Sequence, residues 1–309
     1  MLSIKAIKLL IGVILTALAV AVSAQSPRPV QKTSATVPVE KTSAAVPVEK
    51  TSAVSVSSVA ATSAFATAAT TNVTLRNDLT WSFGGKQQRG WYLYDLLIGE
   101  TLNSKDDPLT SDFASSVATW QKQRGIRSDG ILDQEAWMAM VSQWQGNRLK
   151  NRAYATPDQL LTAPSSDFYD PSRAEELRQV ERSTYAAYKE MIAAAIADPT
   201  LKLEHTSTDQ LAPDEQYFKI ISAFRSREYQ EALRRKSPNA GSAGLAVNNS
   251  PHFTGRALDL YVGGDPVDTK DANRAIQVNT PAYRWLVKNA GRFGFRPYFY
   301  EPWHWEYVR

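Results

Sequence analysis

The sequence predicts an α+β protein, in which an antiparallel-sheet unit follows a small three-helix unit and a disordered linker. Three observations carry this. Beyond residue 165, helix-period and strand-like segments are mixed and do not alternate in βαβ order. All eight tryptophans fall beyond residue 72. Residues 25–71 hold a single aromatic, Phe65, and are built from a repeat: Lys32 to Glu40 returns as Lys41 to Glu49 and decays from Lys50. Such a stretch buries too little surface to offset its ordering entropy, and its repeat is too short and polar for a solenoid. A flexible tether is expected there.

Composition narrows the chemistry. The 309 residues are 43% apolar and 21% charged, which suits a globular fold. Cysteine is absent, which removes disulfides, zinc ribbons, iron–sulfur clusters and thiol nucleophiles. The three histidines are His205, His252 and His304, so a metal site must combine imidazole with Asp or Glu. A net charge of +4 is too small to imply nucleic acid, although a cationic face suits an anionic polymer such as cell wall. Residues 1–24 read as a secretory signal peptide: a basic start with Lys5 and Lys8, an apolar run from Leu9 to Val22, then Val22-Ser23-Ala24 as cleavage residues. The run is short of the roughly 20 apolar residues a spanning helix needs. A secreted or periplasmic protein, free of the membrane after cleavage, is expected.

The segment 72–150 reads as helical. Gly90 to Leu97 forms a first helix, Asp112 caps a second carrying Phe113, Val117 and Trp120, and Gly125 stops it. Ser128-Asp129-Gly130 is a turn, and Asp133 caps a third helix with Trp137 and Val141. The pattern Phe113, Val117, Trp120-Gln121, Gly125-Ile126, Asp129-Gly130, Trp137 resembles the three-helix peptidoglycan-binding domain, with Ala136-Trp137 in place of the usual Thr-Trp. The resemblance implies wall targeting, although these residues are core and turn positions.

In 165–309 the clearest helix is expected over Pro171 to Ala197, with Leu177, Val180, Thr184, Tyr188, Met191 and Ile192 on one face. Strands are expected over Phe218–Phe224 and Arg256–Val262, helices over Glu228–Arg235 and Pro281–Asn289, and a small-residue loop over Gly241–Asn249. Phe293–Phe295 and Trp303–Val308 are the last strand-like pieces.

Two histidines sit in distinctive contexts, Ser250-Pro-His252-Phe-Thr-Gly255-Arg-Ala-Leu-Asp259 and Glu301-Pro-Trp-His304-Trp-Glu306. A loop His252 can fold over Asp259 across the Gly255 bend, and His304 can add a third ligand from a neighbouring strand. A hydrolytic zinc site also needs a carboxylate off the metal to accept a proton. Both Glu301 and Glu306 lie close enough. Glu306 would share a strand face with His304, yet Pro302 interrupts a regular strand through Glu301, and periodicity leaves the choice open.

Together these motifs resemble the VanY-type zinc D-alanyl-D-alanine carboxypeptidases, which share the fold of the hedgehog signalling domain. The resemblance implies that His252, Asp259 and His304 bind Zn2+ and that Glu301 is the general base. A third stretch, Ser222-Ala-Phe-Arg225-Ser226 with Gln230, resembles the family's Arg-containing motif. It implies that Arg225 binds substrate and stabilises the oxyanion, with Ser250 and Gln230 along the substrate groove. Ala223-Phe224 stands where the family has Gly-Tyr, and the path from Gly294-Phe295 to Glu301 is shortened, which bears on substrate length. The implied partner is peptidoglycan and the implied activity is D,D-carboxypeptidase. Endopeptidase action on cross-links or on the L-Ala–D-Glu bond, and non-catalytic wall binding, are the alternatives.

Other conspicuous residues have plainer readings. His205 is expected at the surface, Trp303 and Trp305 in packing, and Arg256 facing solvent. Arg225 has a structural ion pair as its plainer role. Asp265, Asp268 and Asp271 lack the glycine and terminal Glu of a calcium loop and read as a solvated turn.

Overall fold

The computed structural model describes residues 65–236 and 249–309. The signal segment, most of the repeat region and most of the expected Gly241–Asn249 loop lie outside the described residues. No helix among the described residues is long and apolar enough to cross a membrane.

The helical part begins earlier than composition suggests. Helix α1, Ala66–Asp78, starts inside the stretch read as tether. Its Asn72 explains why: the side chain donates to Gly130 O (2.9 Å) and accepts from Leu132 N (2.8 Å), tying the helix to the Asp129-Gly130 turn. A hairpin follows, β1 (Thr80–Phe83) with β2 (Lys86–Arg89). The helix expected from Gly90 starts later: Tyr92–Tyr94 form a 3-10 turn and α2 runs Asp95–Leu102.

Next come α3, Ser111–Gln123, and α4, Gln134–Gly146. Thr110, not Asp112, caps α3, its hydroxyl accepting from Phe113 N at 3.2 Å. Asp133 caps α4 as expected, accepting from Ala136 N at 3.0 Å. Gln121 clamps the turn between these helices, accepting from Gly130 N at 2.8 Å and donating to Ile131 O at 3.0 Å. Gln121 and the Asp129-Gly130 turn therefore serve a local fold-closing bond.

In the sheet part, β3 (Leu160–Thr162) pairs with β4 (Gln179–Glu181). Helix α5 is Arg182–Ile196, shorter than the expected Pro171–Ala197. Glu181 sets its start, the carboxylate accepting from Ser183 N (3.1 Å) and Thr184 N (2.8 Å). A small hairpin, β5 (His205–Ser207) with β6 (Gln210–Leu211), leaves His205 exposed, as expected.

The principal sheet has four antiparallel strands in the order β7-β8-β10-β9. These are β7 Ile220–Ser222, β8 Ala257–Leu260, β9 Phe295–Pro297 and β10 His304–Tyr307. Helices α6 (Arg227–Lys236), α7 (Asp271–Val278) and α8 (Pro281–Asn289) complete this part. Helix α7 went unseen in the sequence. Asp271, expected in a solvated turn, instead opens the helix and pairs with Arg274 at 2.7 Å.

One core lies beneath the sheet, where Tyr188, Met191, Phe218, Leu258, Leu260 and Trp305 are buried together. A second gathers the tryptophans of the helical part and also takes in Tyr298, Phe299 and Tyr300 from the turn before Glu301. Phe299 lies 4.8 Å from Phe83, 5.5 Å from Tyr94 and 5.7 Å from Trp144, ring centre to ring centre. Aromatic packing thus joins the turn to the helices. Phe299→Ala is expected to cost about 3–5 kcal/mol and to lower the stability of helical and sheet parts together. Urea unfolding followed by tryptophan fluorescence and far-UV CD checks it, coincident transitions being expected.

Candidate metal centre

The sheet register builds the site. Asp259 on β8 faces His304 on β10, and Ser222 on β7 faces Asp259 from the other side. Directly opposed residues share a face, so the three side chains form one row across the sheet. Their neighbours Leu258, Leu260 and Trp305 point to the core beneath. His252 arrives from a 3-10 turn, Pro251–Thr254, that Ser250 caps through its hydroxyl. Gly255 then takes φ +67°, where a Cβ would come within 2.8 Å of Leu160. Only glycine makes this bend without strain.

The cluster is buried and its donor atoms converge. One ligand atom each from His252, Asp259 and His304 lies within 4.8 Å of the others. His252 Nε2 is 3.3 Å from Asp259 Oδ2, and His304 Nδ1 is 2.9 Å from Asp259 Oδ1. The outer ring nitrogens are held elsewhere. His252 Nδ1 donates to Ala223 O at 2.7 Å, and His304 Nε2 faces Glu306 Oε1 at 3.2 Å. Each histidine therefore turns a fixed nitrogen inward, as metal-binding imidazoles do. Two nitrogens and one carboxylate oxygen are the donor set of a three-ligand catalytic zinc site. No other such cluster occurs among the described residues.

The electrostatics of the cluster follow from its burial and its close charges. Burial and the nearby Arg225 push the His252 pKa down to about 4. Burial alone would also lower His304, but hydrogen bonds to Asp259 and Glu306 carry it up to about 9. Asp259 is held well below the usual carboxylate range: burial acts against this, and His252 and Arg225 overcome it. An ion on His304 Nδ1 would take the place of that proton.

Glu301 lies in the turn that brings the chain back to His304, its carbonyl accepting from His304 N at 2.9 Å. The side chain is half-buried. Burial, with Asp259 adding to it, raises its pKa to about 7 against the pull of His304, Arg225 and Arg148. A carboxylate poised there is suited to proton transfer near neutral pH.

Glu306, the competing base, is fully buried and occupied. It pairs with Arg148 and accepts from Leu149 N at 2.9 Å. Burial alone would raise its pKa, but the hydrogen bond and charge of His304, with Arg148 adding to them, hold it far below the usual range. It cannot readily take a proton, and it orients His304 instead. Arg148 was not visible as a site residue in the sequence, and no spacing rule connects it to Glu306.

The remaining expected residues are placed as follows. Arg225 is 9% exposed and pairs with Asp259 while donating from Nε to Ser222 Oγ at 2.9 Å. Ser250 is buried as the cap of the His252 turn. Gln230 on α6 is fully buried, and both its amide atoms lack a partner among the described residues. Trp303 and Trp305 are buried in packing. Arg256 is half-buried and lies over the Tyr307 ring at 5.2 Å, rather than facing solvent freely.

Comparison with known proteins returns a family match over residues 178–309, to VanY, described as D-alanyl-D-alanine carboxypeptidase. No curated protein matches the chain. Among solved structures, the LdcB LD-carboxypeptidase, reported for the basis of its peptidoglycan recognition, is 24% identical, with 52% of this chain and 75% of that one covered and a TM-score of 0.34. A vancomycin-resistance D,D-pentapeptidase VanY in complex with Zn(II) is 19% identical, covering 54% and 89%, with a TM-score of 0.32. VanYB in complex with D-alanine-D-alanine is 23% identical, covering 42% and 72%, with a TM-score of 0.27. The family match thus covers the segment that holds His252, Asp259, Glu301 and His304, and this part of the chain is similar to the VanY carboxypeptidases.

Proposed function

We propose that the protein is an exported zinc carboxypeptidase that hydrolyses peptidoglycan stem peptides and releases a terminal D-Ala. The observation that carries this is the convergence of His252, Asp259 and His304 in one buried cluster, with Glu301 in the turn that leads into His304. Zinc held by the three ligands supplies Lewis-acid polarisation of the scissile carbonyl and a more acidic water. Glu301 accepts the proton of the attacking water on its carboxylate and returns it to the leaving amine nitrogen. Arg225 keeps Asp259 ionised and aimed, and its charge offsets the one growing on the carbonyl oxygen. Ser250 fixes the turn that presents His252. Gln230, whose amide has no partner among the described residues, is assigned to the substrate groove on the resemblance. The helical part is assigned to wall contact on the resemblance of its motifs, and the wall-facing surface must lie outside those buried residues.

Digestion of purified peptidoglycan, followed by mass spectrometry of the released fragments, tests this. Loss of single D-Ala from stem peptides, abolished by a zinc chelator and restored by zinc, is expected. Shortened cross-bridges or cleavage at L-Ala–D-Glu would establish an endopeptidase instead. Chelator-insensitive release would refute the metal reading.

A further inference from the structure

We infer that Arg148 is a positioning residue for the metal centre: acting through Glu306 it fixes the His304 ring, so the link between helical and sheet parts sets the affinity for the ion. This rests on the reading of His252, Asp259 and His304 as metal ligands.

The contacts form an unbroken chain. Helix α4 ends at Gly146 with Asn147 as its C-cap, and Arg148 and Leu149 come next. Arg148 Nε donates to Glu306 Oε1 at 3.0 Å, its Nη2 reaches the same oxygen, and Leu149 N donates to Oε2 at 2.9 Å. The guanidinium is itself fixed, lying 3.9 Å from the Tyr298 ring centre and donating from Nη1 to Gln145 Oε1 at 3.2 Å. Tyr298 N in turn donates to His304 O at 2.9 Å. Glu306 Oε1 then meets His304 Nε2 at 3.2 Å, on the side of the ring away from Asp259.

Both oxygens of Glu306 are therefore taken up, and the carboxylate has no freedom to turn. An imidazole held at its outer nitrogen by such a carboxylate is a stronger, better aimed ligand at its inner one. Without Arg148, the buried Glu306 loses its charged partner and two donors, and the ring loses its anchor. The helical part then contributes to the metal centre itself, in addition to any wall contact.

The test is the zinc dissociation constant of the full chain, by competition with a chromogenic chelator, for wild type, Arg148→Ala and Arg148→Lys. Arg148→Ala is expected to bind zinc about 10–100-fold more weakly. Arg148→Lys, which restores the charge and one donor but not the fork, should fall between. Hydrolysis by Arg148→Ala should recover in excess zinc, which a general loss of structure would not allow. A folded Arg148→Ala with wild-type zinc affinity overturns the inference. Should that variant not fold, Arg148→Lys decides on the same criterion, wild-type affinity again overturning it. A wild type that binds no zinc would sink the metal reading and this inference together, whereas tight binding by wild type and both variants would sink this inference alone.

Discussion

Glu301→Gln should remain folded and zinc-loaded while its kcat/KM on a D-Ala-terminated stem peptide falls by about 100- to 10,000-fold. Glu301 is not in the ligand cluster, so the ion stays. The amide cannot accept the water's proton, and no neighbour can replace it. Glu306 is held ionised by Arg148, Leu149 and His304. Zinc content by atomic absorption, set beside the rate, separates this outcome from simple loss of metal. An undiminished rate would refute the assigned base.

The same group makes a pH prediction for the metal-free protein. Its folded pKa of about 7 lies above the ordinary 4.5, so the folded state holds the proton more tightly than the unfolded state does. Its stabilising contribution is full below the ordinary pKa and is lost as pH rises through about 7. Glu301→Gln removes that dependence. The stability difference between wild type and variant should therefore shift in favour of the variant between about pH 4 and about pH 8 by urea unfolding, a range that brackets both pKa values.

Asp259→Ala should abolish zinc binding and also weaken the fold. One oxygen faces His304 at 2.9 Å, and the other meets His252 at 3.3 Å and Arg225. Removing it takes away a proposed ligand and leaves the buried Arg225 cation with Ser222 Oγ, at 2.9 Å, as its one side-chain partner among the described residues. Stranding a buried charge in this way costs about 3–5 kcal/mol. Zinc stoichiometry and the urea midpoint report the two effects separately. Retention of zinc at wild-type affinity would mean that the ligand set is wrong. The contrast with Glu301→Gln is diagnostic, since both lose activity and only one loses the ion.

Local hydrogen bonding explains what could be read in advance. The His252 turn is made by Ser250 and Gly255, within a few residues of it, and Asp133 caps α4 from its own first turn. Helix α8 occupies the expected Pro281–Asn289, with Pro281 in its first turn and Thr280 as cap. Where short-range signals conflicted, the expectation missed. Glu181, a cap with no preceding turn residue to announce it, cut the expected Pro171–Ala197 helix back to Arg182. Three scattered aspartates concealed the start of α7.

The linear chain already marked the candidate ligand residues, their chemistry and the mixed α and β character, because caps, turns and strand alternation act over a few positions. Periodicity left Glu301 and Glu306 equivalent, and the family resemblance alone favoured Glu301. What separates them is packing: a buried Arg148 reaching Glu306 from 158 positions away, and the desolvated setting of Glu301. Contacts of that range are selected by the global arrangement of helices and sheet, and no periodicity along the backbone encodes them.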